Sequence, residues 1–237
     1  MTDEGKALTE KWVDSNGAKY PYAYDKGGKL ARWFDVGGIP TAALIDPNGT
    51  ILWRGHPGTL TEKEIERAIE GSISVPLWDW PKSAKAAAKA MSKGDWAKAL
   101  EEAKKASADD IAASIQGFLE KKVEAMNGAN EEGNYLRAFT LAKALKKGLS
   151  GLPQADEASA LYERLKSDKD AQAVISLQEK LAKISEKAGG LGKPKEVEKL
   201  KEKVRKLRKE LPGTYAEVDA DALLERLEAL RLKLIKR

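Results

Sequence analysis

Side chains able to do covalent, redox or metal chemistry are few in this sequence. It contains no cysteine, which excludes disulfides, thiolate catalysis and cysteine-ligated metal from this polypeptide. Its one histidine, His56, stands in a loop beside Pro57-Gly58, and a lone histidine cannot build the imidazole-rich set that usually holds zinc. Asp3, Glu4 and Asp14 fall at the ends of a predicted helix and read as helix-terminus charges. No Ser/His/Asp set, glycine-rich phosphate loop or convincingly spaced carboxylate pair is found, so no catalytic residue, cofactor or metal is expected. What remains is a backbone motif. Val36-Gly37-Gly38-Ile39-Pro40-Thr41 leads into the apolar run Ala42 to Ile45 and then Asp46-Pro47-Asn48-Gly49. A proline opening a strand removes a donor from the ladder, so it belongs at an edge or a special turn. Gly37 and Gly38 give the approaching loop conformations that a side chain would forbid.

The elements that must hold this motif alternate in type. A helix is predicted from Glu4 to Asp14, stopped at Asn16-Gly17. Tyr20 to Tyr24 reads as a short strand, Lys29 to Asp35 as a helix, and Pro40 to Asp46 as a strand. Pro47-Asn48-Gly49 makes a hairpin turn to a partner strand, Thr50 to Gly55. Thr61 then caps a helix to about Glu70, with Glu64 placed for a capping box. The order is α-β-α-β-β-α.

Composition changes at Val75-Pro76-Leu77-Trp78-Asp79-Trp80-Pro81, where two prolines deter helix. Residues 1–75 form the first predicted domain, 76–81 a linker that Trp78 and Trp80 dock onto a neighbour, and the rest is helical. Within 82–168, Gly94-Asp95-Trp96-Ala97-Lys98-Ala99-Leu100 resembles Gly133-Asn134-Tyr135-Leu136-Arg137-Ala138-Phe139, 39 residues later. This is similar to the turn and second helix of a tetratricopeptide-type hairpin, although the usual period is about 34. From 169 to 237 long charged helices carry apolar residues at three- and four-residue steps, and a break at Leu211-Pro212-Gly213 predicts an antiparallel helical hairpin of coiled-coil type. The first 75 residues hold 9 basic and 11 acidic side chains, leaving a net +7 on the remainder of a chain whose total is +5. Spread over so many residues, that excess is a thin basis for nucleic-acid binding.

The stretch Val36 to Ile51 resembles TlpA-like and ResA-like thiol-disulfide oxidoreductases, whose sequence there runs roughly V-x-G-x-P-T, an apolar run, D-x-x-G and an apolar residue. Trp53-Arg54-Gly55-His56-Pro57-Gly58, Tyr20-Pro21, Asp25 and Leu30-Ala31 extend the similarity over about residues 3 to 71. The resemblance implies a partial thioredoxin-like fold, α/β in front and all-α behind. It implies a cis Ile39–Pro40 bond, a geometry that costs only about 0.5–1 kcal/mol at proline. It also implies that Ile39, Pro40 and Thr41 form the loop that pairs with an extended substrate. The family's Trp-Cys-x-x-Cys turn and its β-α-β unit are absent from this sequence.

Two readings follow. In the first, this is an N-terminally truncated form of a longer oxidoreductase, not redox-active as it stands, and the missing part carries the cysteines and a secretion signal. A periplasmic or extracytoplasmic location then follows; otherwise the chain is cytoplasmic. In the second, it is a non-enzymatic adaptor with a degenerate thioredoxin-like domain. Either way a protein partner is expected, at the Pro40 loop or on the helices of 82–237. No apolar run approaches the roughly 20 residues of a membrane helix.

Overall fold

The computed structural model describes residues 5–18, 23–28, 30, 31, 34, 36–188 and 191–235. The predicted strand at 20–24 and helix at 29–35 lie largely outside the described residues. Of them, Tyr24 makes an isolated bridge and Leu30 and Ala31 are helical. The buried carboxylate of Asp25 accepts from the backbone N–H of Leu30 (3.0 Å) and Ala31 (2.9 Å), satisfying two donors that start a helical turn.

The described front elements are α1 (Lys6–Asn16), β1 (Ala42–Ile45), β2 (Ile51–Gly55) and α2 (Glu62–Ile69). β1 and β2 pair antiparallel in a two-stranded sheet, with Ala43 opposite Arg54, Leu44 opposite Trp53, and a register shift after Leu44. Pro40 and Thr41 stand outside β1, whose ladder begins two residues later than the predicted strand would require. Thr61 closes a full capping box on α2: its hydroxyl accepts from the N–H of Glu64, whose carboxylate accepts from the N–H of Thr61.

Behind them come eight helices: α3 (Lys85–Ser92), α4 (Trp96–Lys105), α5 (Asp109–Glu131), α6 (Tyr135–Gly148), α7 (Pro153–Ser167), α8 (Lys169–Ala188), α9 (Pro194–Arg208) and α10 (Tyr215–Ile235). Each packs on the next, and α8 also contacts α6 and α10. The turns opening α4 and α6 are built alike. Gly94 and Gly133 take positive φ (+71° and +77°), and the next residue, Asp95 or Asn134, accepts from the N–H three positions on. The main core joins Ile115, Met126, Leu145 and Leu149 to a run of buried alanines on α3 and α4. Alanine permits helices to approach closely, and Gly148 shows how closely: a Cβ there would lie 2.5 Å from the Trp96 ring and 2.6 Å from the Gly94 carbonyl. Of the two linker tryptophans, only Trp80 docks. It is buried in this core and donates from Nε1 to the Val75 carbonyl (2.8 Å), while Trp78 is exposed.

The last three helices share a second core around Leu181, Val197, Val204, Leu223 and Leu227. The ion pairs fix their directions. Lys201 meets Glu228 and Arg208 meets Asp221, so seven residues forward on α9 is seven back on α10: the two run antiparallel. Gln178 meets Asp219 and Ser185 meets Arg226, so α8 and α10 run parallel. The C-terminal region is therefore a three-helix arrangement and not a two-helix hairpin alone. The extra helix is recruited by the apolar face of α8, where Val174, Leu177, Leu181 and Ile184 are all buried.

This second core generates two predictions. Leu227 is fully buried, and Leu227→Ala should cost about 2–5 kcal/mol in chemical denaturation. Ile69→Ala, at a position 55% exposed, should stay within about 0.5 kcal/mol. The Glu228 carboxyl, held by the Arg231 guanidinium and then by Lys201, titrates at about 2, below its usual 4.5. A depressed carboxyl stabilises the fold above its unfolded value and loses that contribution as pH falls from about 4.5 towards 2. Glu228→Gln should therefore flatten the dependence of melting temperature on pH across that window while leaving its slope above pH 5 unchanged.

Candidate functional site

The Ile39–Pro40–Thr41 loop lies immediately before β1. Its peptide bond at Ile39–Pro40 is cis. Ile39 is 88% exposed, the highest exposure of any large apolar side chain among the described residues. Among those residues nothing hydrogen-bonds to its backbone N–H or carbonyl. Thr41 is committed internally: its hydroxyl donates to the Gly38 carbonyl (2.6 Å), pinning the loop back on itself. Gly37 passes close to the end of α10, where a Cβ would lie 3.4 Å from Lys233 Nζ. The loop thus offers one free amide group and one bare aliphatic side chain, which suits contact with an extended polypeptide and supplies no acid, base or nucleophile.

The hairpin turn behind the loop is tightly specified. The Asp46 carboxylate accepts from the N–H of Asn48 (2.9 Å) and Thr50 (2.7 Å), and Gly49 takes φ +81°. The turn is then fastened to the helices by two cations. Lys122 on α5 donates to the Pro47 carbonyl (3.2 Å) with its ammonium 4.8 Å from the Phe118 ring centroid and 5.7 Å from that of Trp96. Burial lowers the Lys122 pKa, Asp46 opposes that shift, and the charge on Arg137 adds to it. Arg137 on α6 donates from Nη2 to the Thr50 hydroxyl (2.9 Å). Two further contacts continue the seam: the Ser74 N–H donates to the Ser114 hydroxyl (3.2 Å), and Glu70 pairs with Lys121 (3.0 Å). Sequence reasoning missed Lys122 and Arg137 because each is one basic residue among many, 75 and 87 positions from its partner.

The other predicted positions stay apart from this site. His56 is exposed and its Nδ1 accepts from the Gly58 N–H (3.1 Å), capping a single turn at Pro57–Thr59. Asp14 sits on the exposed face of α1. Among the described residues no group of three His, Asp or Glu side chains could hold a metal, and no helix is long and apolar enough to cross a membrane.

Comparison with known proteins finds partial similarity to bacterial proteins named thiol-disulfide oxidoreductase ResA. The protein from Geobacillus kaustophilus (strain HTA426) is 34% identical over 67 residues, covering 28% of this chain and 38% of that protein. The protein from Bacillus thuringiensis (strain Al Hakam) is 34% identical over 64 residues, covering 27% and 36%. The protein from Halalkalibacterium halodurans is 29% identical over 68 residues, covering 29% and 38%. The chain spans less than two fifths of the length of the curated relatives it matches. No family model matches, and no solved structure matches.

The fastening of the turn can be tested without disturbing the ring packing. Combining Lys122→Met with Thr50→Val removes both hydrogen bonds and keeps the side-chain volumes. Amide exchange at Asp46, Asn48, Gly49 and Thr50 should accelerate about tenfold, the equivalent of about 1.4 kcal/mol, with the main helical transition unchanged. Unchanged exchange at those amides would show that the two cations do not hold the turn.

Proposed function

We propose that the front segment is the partner-binding part of a ResA-like thioredoxin fold, and that this polypeptide binds an extended protein segment at Ile39–Pro40–Thr41 without exchanging thiols itself. The observation that carries the reading is the isolation of Ile39: an aliphatic side chain 88% exposed, with its backbone amide group unengaged among the described residues, at the position where the resemblance puts the substrate-facing loop. A strand-like ligand needs this combination, backbone groups for the ladder and an apolar side chain beside it. Thiol exchange requires a thiolate to attack a disulfide sulfur, and this polypeptide has none. Any redox step would use cysteines of other polypeptide.

A larger assembly is also supported by the surface of the front segment. Among its described residues only Asp25 and Ala68 are buried, while Leu8, Trp12, Leu30, Ile45, Ile65 and Ile69 are all exposed. Apolar side chains in that number favour a segment that works against further polypeptide. In the adaptor reading the helices hold the partner instead. It is favoured by the strong fastening of the Pro47–Thr50 turn on α5 and α6, which makes the front segment an extension of the helical body.

The readings separate on one substitution. Ile39→Asp should weaken binding of a reduced, carboxymethylated unfolded polypeptide at least fivefold in fluorescence anisotropy. Because the side chain is exposed, stability should move by no more than about 0.5 kcal/mol. Equal binding by the variant and the parent would remove the loop from partner recognition and leave the helical surfaces as the contact.

A further inference from the structure

A cavity of about 520 Å³ opens where the β1–β2 turn meets α6, α8 and α10. Its size falls within the usual range of small-molecule sites, and such sites favour the seams between structural units. Leu141, Leu181 and Leu223 give it an apolar lining. Polar groups converge on this lining from three directions. From α6 comes Arg137, whose guanidinium is half-buried, spends one N–H on the Thr50 hydroxyl, and has no carboxylate within ion-pair distance among the described residues. From α10 comes Arg226, which donates to the Ser185 hydroxyl (3.0 Å). From the turn comes Asn48, whose side-chain oxygen is shielded from solvent and accepts no hydrogen bond.

Two features of this cavity, the Arg137 guanidinium and the apolar lining, are incomplete in different senses. A half-buried guanidinium without a carboxylate is short of an anion, because charge removed from water is costly unless paired. An open apolar lining is short of an aliphatic or aromatic body. We propose that this cavity binds a small amphipathic carboxylate, the chemistry of an N-acyl amino acid or of a peptide C terminus. The carboxylate meets Arg137, and the apolar group lies on Leu141, Leu181 and Leu223.

The neighbouring network keeps the cavity in shape without consuming these groups. Gln178 is buried and triply engaged: its side-chain oxygen accepts from the Leu136 N–H (3.0 Å), and its Nε2 donates to Asn134 (3.0 Å) and to Asp219 (2.8 Å). This fixes the start of α6, and with it Arg137, against α8 and α10. Asp219, whose carboxyl is raised by burial and lowered by the Gln178 bond, puts a second acceptor on the wall and disfavours a dianionic ligand. Because Asn48 lines the cavity from the front turn and the rest from the helices, an occupant lies against both.

The test uses the full chain and N-acetyl-L-phenylalanine as the probe, with its carboxamide as the control. Titration calorimetry should show saturable binding of the acid and at least tenfold weaker binding of the amide. Amide shifts in two-dimensional NMR should cluster at Asn48, Arg137 and Leu181. Arg137→Gln should reduce affinity for the acid at least tenfold and leave affinity for the amide unchanged. Ala182→Trp, placed at the mouth, should abolish both by filling the space, and its circular dichroism should match that of the parent. A ten-residue peptide ending in the same acid separates the sources: weaker binding than the short acid marks a free small molecule, stronger binding marks a protein C terminus, and both retain the carboxylate chemistry. No saturable binding of the acid, equal binding of acid and amide, or shifts elsewhere on the chain would overturn the proposal. These outcomes are independent of Ile39, so they do not depend on the reading of the Pro40 loop.

Discussion

The hold of two cations on one turn determines where the front of this molecule sits. Lys122 and Arg137 reach from adjacent helices to the Pro47 carbonyl and the Thr50 hydroxyl, and the turn itself is wound tightly around the Asp46 carboxylate. The front segment has almost no interior of its own to orient it: α1 has no buried residue, and α2 buries Ala68 alone. Polar anchors at a turn fix position with little apolar burial. That leaves the Ile39–Pro40–Thr41 loop and its surrounding apolar side chains facing outward, available to other polypeptide.

The helical body that receives the turn is stabilised differently. Its first core is rich in alanine, which gives up buried area per residue but lets helix axes approach, as the contact of Gly148 with Trp96 and Gly94 requires. Its second core uses leucine and valine and surrounds itself with ion pairs. Of these, the Lys201 ammonium is nearly buried and shared between Glu198 and Glu228. Removing both glutamates would leave a charge inside the helix seam; of the two pairs only Lys201–Glu228 crosses between helices, and it sets the register of α9 on α10 more than it adds net stability.

Local signals carried much of this architecture. The capping box at Thr61 and Glu64, the Asp46–Gly49 turn, the glycine stops and the two matching turns at Gly94 and Gly133 all arise from residues within four positions of one another, so their chemistry is readable in a row of letters. The long-range features were not readable. Lys122 and Arg137 are ordinary members of basic helices until folding brings the turn to them. Trp78 and Trp80 are two positions apart with identical chemistry, and only the packing decides that one is buried and the other is not. The packing of α8 into the C-terminal core was not read from the sequence because a glycine-rich break separates it from α9, and its parallel pairing with α10 joins residues about 41 positions apart. The candidate loop was legible as a motif from Val36 to Gly49, whereas the exposure of Ile39 depends on what the rest of the chain leaves uncovered.

The central claim is that the chain meets its partner through the loop at Ile39, and site-specific photo-crosslinking tests it most directly. A benzophenone side chain would replace Ile39 in one version of the full chain and Trp78 in another. Both positions are exposed and apolar, at 88% and 65%, but only the first belongs to the loop. The account predicts adducts with an unfolded carboxymethylated polypeptide from position 39, competed away by excess unlabelled polypeptide, and only background from position 78. Equal adduct yield from both positions, or a yield at 39 that competitor does not reduce, would contradict it.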